Sequence, residues 1–152
     1  MHKGDVVPDF ELPDQDGTPR RLSELLAGGP VVLFFYPAAM TYGCTKESCH
    51  FRDLGAEFAA VGAQRVGISA DSVDKQQQFD QKESLGYPLL SDADRTVATQ
   101  LGAKRGSSFL PNKRITFVID TDRTLLEVIH TEISMGAHAD RALKVLAARP
   151  AA

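Results

Sequence analysis

The stretch Val31-Val32-Leu33-Phe34-Phe35-Tyr36-Pro37-Ala38-Ala39-Met40-Thr41-Tyr42-Gly43-Cys44 decides how the chain is read. Its first six residues are apolar at every position, so both faces of an extended segment here meet a core, as in a central strand rather than an edge. Pro37 ends the run. Beyond Cys44, the spacing of Phe51, Leu54, Phe58 and Val61 predicts a helix with one face on the sheet. Cys44 therefore falls where a buried strand hands over to a helix. A cysteine in a first helical turn feels the partial positive charge of N–H groups without intrahelical partners, and that field favours the thiolate, the reactive form. A second cysteine, Cys49, follows one helical turn and a residue later.

Upstream, Phe10-Glu11-Leu12-Pro13 and Thr18-Pro19-Arg20-Arg21-Leu22 flank Asp14-Gln15-Asp16-Gly17, which reads as a hairpin, with Ser23 capping a short helix over Glu24 to Leu26. Downstream, Gln64–Ser69 alternates Val66 and Ile68 as a second strand. Asp71 and Ser72 are candidate N-caps of a helix reaching Glu83, and Leu85-Gly86-Tyr87-Pro88-Leu89-Leu90 closes that helix and opens a short strand. Residues 93–101 read as another helix, residues 115–120 and 125–131 as strands paired across Thr121-Asp122-Arg123, and residues 139–148 as a terminal amphipathic helix. Right-handed β-α-β crossovers followed by a hairpin and a last helix predict an α/β, thioredoxin-like fold: a central mixed sheet flanked by helices, with an N-terminal β-hairpin.

The 152 residues, 43% of them hydrophobic, suffice for one domain with a single core, expected to span residues 1–152. A net charge of −3 provides no basic field for nucleic acid, and the pairs Lys104-Arg105 and Lys113-Arg114 are too short to make a patch. No apolar segment follows Met1-His2-Lys3-Gly4-Asp5, and the run from Val31 to Phe35 is too short to cross a bilayer, so the expectation is a soluble, cytoplasmic protein without membrane contact. Two cysteines in such a chain argue against a structural disulfide framework. They leave redox or nucleophilic chemistry, or two inert buried thiols, the ordinary fate of an isolated cysteine. Cys44, Cys49 and His50 match no common zinc spacing, and Gly102 and Gly106 lack the spacing of a phosphate loop, so neither metal nor nucleotide cofactor is expected. His130 and His138 flank Met135 and read as a strand end and a helix start without catalytic meaning.

The string Pro37-x-x-x-Thr41-x-x-Cys44, continued by Thr45-Lys46-Glu47-Ser48-Cys49, resembles the active-site motif of peroxiredoxins, and the position of Cys49 resembles the peroxiredoxin Q, or bacterioferritin-comigratory, branch. The likeness extends through Gly4-Asp5-x-x-Pro8-Asp9-Phe10-x-Leu12, Ile68-Ser69-x-Asp71, Tyr87-Pro88-Leu89-Leu90-Ser91-Asp92 and Arg114-Ile115-Thr116-Phe117-Val118-Ile119-Asp120, most of the chain. One departure is Tyr42, where this branch usually carries Pro; it bears on the stiffness of the loop and the shape of the peroxide entrance.

The resemblance implies a thiol peroxidase acting on hydrogen peroxide and organic hydroperoxides. In that scheme Cys44 is the peroxidatic thiol, Arg114 supports its thiolate, Thr41 holds the peroxide in line, Pro37 shields the site from water, and Glu47, one turn after Cys44, orients Arg114. Attack leaves Cys44 as a sulfenic acid, with Cys49 as the resolving thiol that condenses with it to a disulfide. Helical residues five apart stand about 8.6 Å apart at Cα, whereas a disulfide tolerates at most about 7 Å, so the helix must locally unwind for closure. The chain has no Cys-x-x-Cys, so an external dithiol such as thioredoxin is the expected reductant, and the branch implies a monomer. The alternative is a peroxide sensor that passes the disulfide to a partner protein.

Overall fold

The computed structural model describes residues 1–106 and 110–149. In chain order the elements are β1 (Glu11–Pro13), β2 (Pro19–Arg21), α1 (Leu22–Leu26), β3 (Val31–Phe35), α2 (Tyr42–Asp53), α3 (Gly55–Ala60), β4 (Gln64–Ser69), α4 (Val73–Glu83), β5 (Leu89–Ser91), α5 (Thr96–Leu101), β6 (Ile115–Ile119), β7 (Leu125–His130) and α6 (Ala137–Ala147). The main sheet runs β5-β4-β3-β6-β7, with β3 parallel to β4 and antiparallel to β6. The apolar run thus occupies the central strand, as its sequence requires. Strands β1 and β2 form the separate antiparallel hairpin. Gln15 in its turn accepts from the Leu89 N–H at 2.9 Å and donates to the Tyr87 carbonyl at 3.0 Å, occupying part of the outer edge of β5. This is a thioredoxin-like sheet flanked by helices.

The pleat of β3 divides the interior. Val31, Leu33 and Phe35 join a cluster with Leu22, Leu25 and Leu26 of α1 and Val97, Ala98 and Leu101 of α5. Val32 and Phe34, with Tyr36 just beyond, face Phe51, Phe58, Phe79, Ala139 and Ala142 from α2, α3, α4 and α6. Phe34 stacks on Phe51 with ring centroids 4.1 Å apart and planes within 6°, fixing α2 on the sheet. Gly67 on β4 lies under this layer: a Cβ there would come within 2.9 Å of Leu89 and 3.1 Å of Phe34 and Tyr36. Glycine is what lets the aromatic layer close over β4.

Four sequence expectations change in detail. The helix after Cys44 is two helices, broken at Leu54 (φ −95°, ψ 19°), while Phe51 and Phe58 stay in register on the core. Ser23 does not cap α1; it lies inside the helix and donates its N–H and hydroxyl to Asp9 at 2.9 and 2.8 Å. Of the two candidate caps of α4, Ser72 accepts from Lys75 N–H, whereas Asp71 turns back toward the segment before α2. The helix expected from residue 93 begins at Thr96, because Arg95 adopts a left-handed conformation and the buried Asp92 carboxylate accepts the Val97 and Ala98 N–H groups. No helix among the described residues is long and apolar enough to cross a membrane.

Candidate active site

The segment 37–41 carries the chain from β3 to α2. Asp71 fixes it: its carboxylate accepts the Ala39 N–H and the Ser69 hydroxyl, both at 2.7 Å. Met40 then takes a left-handed φ of 64°, unfavourable for a side chain with a Cβ and sustained by the surrounding contacts. Thr41 is the N-cap residue of α2, but its hydroxyl makes no cap and donates instead to the Ala38 carbonyl at 2.8 Å. The first N–H groups of the helix, Cys44 among them, are left without a side-chain acceptor from the cap. Their field is therefore directed at the first turn.

Cys44 sits in that turn, fully buried. The Arg114 guanidinium reaches it from the start of β6, Nη2 donating to Sγ at 3.3 Å, while Nη1 donates to Glu47 Oε1 at 2.9 Å. One buried cation thus bridges two groups on one helical face. Gly43 makes room for it, since a Cβ at that position would stand 3.3 Å from both Arg114 Nη2 and Met135 Sδ. Glu132, held by Arg105 and His130, accepts the Arg114 backbone N–H at 2.9 Å and fixes where β6 begins.

Glu47 has no exposed surface, and its Oε2 has no hydrogen-bond partner among the described residues. Burial pushes its carboxyl up to about 8 against the pull of Arg114. Burial acts against the charge of Arg114, but Glu47 and Cys44 outweigh it and hold its pKa above the usual value. His138 of α6 completes the cluster. Its Nε2 lies 3.6 Å from Glu47 Oε2 and 2.9 Å from the Thr131 carbonyl, and its Nδ1 lies 2.8 Å from the Thr116 hydroxyl. Burial lowers the His138 pKa, so the ring is neutral near pH 7. The sequence places His138 at a helix start, where it lies, but gives it no part in the site: its contacts lie on distant segments, and no local pattern marks them.

Pro37 is half-buried and Thr41 exposed at the surface end of the same segment. Tyr42 stands at the first helical position with its side chain 85% exposed, directed away from the core. Cys49 is half-buried on α2, and both cysteines are free. The helix is unbroken between them, which separates their Cα atoms by about 8.6 Å. The Cys49 thiol donates to Glu83 Oε2 at 3.4 Å, and its pKa is raised by burial and by that hydrogen bond. His50, considered above beside the cysteines as a metal ligand, pairs with Asp140 at 2.8 Å.

A thioredoxin-like sheet that sets a buried thiol in the first turn of a helix against a buried arginine defines the peroxiredoxin class. The match to known proteins agrees. Residues 3–128 fit the AhpC/TSA family, and the chain belongs to that family. It is similar to the peroxidoxin BcpB of Mycobacterium tuberculosis, whose crystal structure matches with 65% identity and a TM-score of 0.95 over 99% of both chains. Peroxiredoxin Bcp of Escherichia coli is 38% identical over 151 residues, 96% of each chain. A bacterioferritin comigratory protein structure from Xanthomonas campestris, studied for alkyl peroxide reduction, matches with 28% identity and a TM-score of 0.86 over 97% of this chain and 98% of that one.

Proposed function

We propose that Cys44 is the peroxidatic thiol of a peroxidase that reduces hydrogen peroxide and organic hydroperoxides, that Cys49 resolves it, and that a dithiol protein of the thioredoxin type recycles the pair in the cytoplasm. The observation that carries the reading is the 3.3 Å contact of Arg114 Nη2 with Cys44 Sγ in the first turn of α2. The Cys44 thiolate attacks one peroxide oxygen, the O–O bond breaks, and the departing oxygen leaves as water or alcohol after taking a proton. Arg114 and the uncapped N–H groups supply positive charge to that departing oxygen. Glu47 accepts from the other arm of the guanidinium and so holds Nη2 against the sulfur.

Thr41 supports alignment. Because its hydroxyl proton is committed to Ala38, its lone pairs face outward as acceptors for a peroxide proton. Pro37 adds no N–H to the approach and excludes water beside the sulfur. The sulfenic acid formed on Cys44 then condenses with the Cys49 thiol, releasing water, once the first turns of α2 unwind. The chain acts as a monomer and as one domain.

The test is steady-state peroxide consumption coupled to thioredoxin and its reductase. Cys44→Ser abolishes it, and Cys49→Ser consumes one equivalent of peroxide and stops in the absence of other thiols. A wild type that forms the disulfide but fails to turn over would point to a sensor passing its disulfide to a partner. A Cys44→Ser protein that retains activity would refute the assignment.

A further inference from the structure

The thiol expected to resolve Cys44 is a poor nucleophile where it stands. Cys49 is half-buried among charged and titratable groups: Lys46, His50, Arg52 and Asp53 on its own helix, Glu83 from α4, and Asp140 from α6 across a cavity of about 460 Å³, with the neutral Tyr87 hydroxyl nearby. Only one of these engages its sulfur by hydrogen bond. Glu83 Oε2 accepts from Cys49 Sγ at 3.4 Å.

Glu83 is also held in place. It is the last residue of α4, its carbonyl accepts from Arg52 Nη1 at 2.6 Å, and the chain turns away at Ser84 through a left-handed φ of 51°. The carboxylate is thereby set against α2 on an element that need not move when α2 opens.

Resting on the peroxidase reading above, we propose that Glu83 is the proton acceptor for Cys49 in disulfide closure. The Cys49 S–H bond breaks with its proton passing to the Glu83 carboxylate. The sulfur lone pair forms the S–S bond to Cys44 as the S–O bond of the sulfenic acid breaks, and the departing hydroxide takes a proton and leaves as water. Glu83 returns to carboxylate by giving its proton to solvent. Peroxide is the oxidant, and no further reagent enters. A carboxylate in this position lets a thiol whose pKa is raised by burial attack at neutral pH, where few thiols in such surroundings are ionised.

The experiment mixes reduced full-length protein with one equivalent of hydrogen peroxide, quenches with acid on the millisecond scale, and counts by intact mass the species that gained one oxygen and the species that lost two hydrogens. Glu83→Gln leaves formation of the oxygen adduct at the wild-type rate and slows closure by on the order of a hundredfold at neutral pH. Wild-type closure varies little between about pH 6 and 8, whereas closure in Glu83→Gln climbs about tenfold per pH unit, following the thiolate fraction alone. Closure in Glu83→Gln at the wild-type rate, or with the wild-type pH slope, overturns the proposal and leaves Glu83 a structural contact. A wild type that never gains the oxygen, or never closes, overturns the peroxidase reading and this step with it.

Discussion

Replacing Glu47 by Gln tests the electrostatics of the site through stability rather than rate. Glu47 is fully buried, one carboxyl oxygen has a single Arg114 contact and the other no hydrogen-bond partner among the described residues, and burial raises the group from its ordinary 4.5 to about 8. An acid raised in this way keeps its proton in the folded protein through a window where the unfolded chain has lost it. Folding stability then falls as pH rises from 4.5 toward 8, by about 1.4 kcal/mol per pH unit. Across the whole window the loss is about 5 kcal/mol, a large part of a small domain's stability. Gln keeps the shape and an acceptor for Arg114 but cannot ionise. Urea unfolding of both proteins under reducing conditions, from about pH 5 to 9, reads the effect, since titrations remote from Glu47 cancel in the difference. The advantage of Glu47→Gln grows by about 1.4 kcal/mol per pH unit up to about 8 and then levels. A constant difference refutes the reasoning, because Glu47 would then ionise alike in both states. A difference that shrinks with rising pH would mean that Arg114 pulls the carboxyl below its ordinary value.

Three further outcomes follow from the same contacts. Tyr42→Pro raises stability by about 0.4–1 kcal/mol, because Thr41 already has the extended backbone (φ −86°, ψ 159°) required before proline and the ring at the first helical position is almost wholly exposed; a lower urea midpoint would contradict this. Gly67→Ala destabilises by about 1–3 kcal/mol through its clash with Leu89, Phe34 and Tyr36, and an unchanged midpoint would show that the aromatic layer yields freely. Tyr87→Phe removes the 2.7 Å hydrogen bond to the Ser48 carbonyl in the middle of α2, costing about 1 kcal/mol, and speeds disulfide closure about fivefold in the quenched-mass assay; an unchanged closure rate would mean that this bond is not broken on the way to the disulfide.

What the sequence makes legible is what is encoded locally. The apolar run Val31–Phe35 announces a central strand because nothing else buries both faces over five residues, and the position of Cys44 follows from where that run ends. The break at Leu54 escapes notice because Phe51 and Phe58 keep helical register across it. Ser23 reads as a cap until Asp9, 14 residues upstream, takes that N–H. Arg114 lies 70 residues from Cys44 and enters the reading only through resemblance to a family. His138 reads only as a helix start, because Thr116 and the Glu47 carboxylate that surround it come from other elements and burial, not spacing, gives it meaning.

The two ends of α2 are built differently, and the difference bears on how the cycle closes. Toward its C-terminus the helix is clamped: Phe51 stacks on Phe34, Arg65 donates to the carbonyls of Phe51 and Arg52 at 2.9 and 3.3 Å, and Arg52 ties itself to the end of α4. At its N-terminus the hydroxyl of Thr41 is turned away, no side chain caps the helix, and Met40 holds a strained left-handed turn. Opening from the clamped end would cost a ring stack and several hydrogen bonds. Opening from the N-terminus begins with the first helical bond, Thr45 N–H to the Thr41 carbonyl, and the Arg114 contact to a sulfur that oxidation has already changed. The same uncapped turn that directs N–H groups at Cys44 is therefore the weak end of the helix, so in the proposed cycle Cys44 is the thiol that travels and Cys49 the one that waits beside Glu83. The bare N-terminus of α2 serves both steps of the proposed cycle.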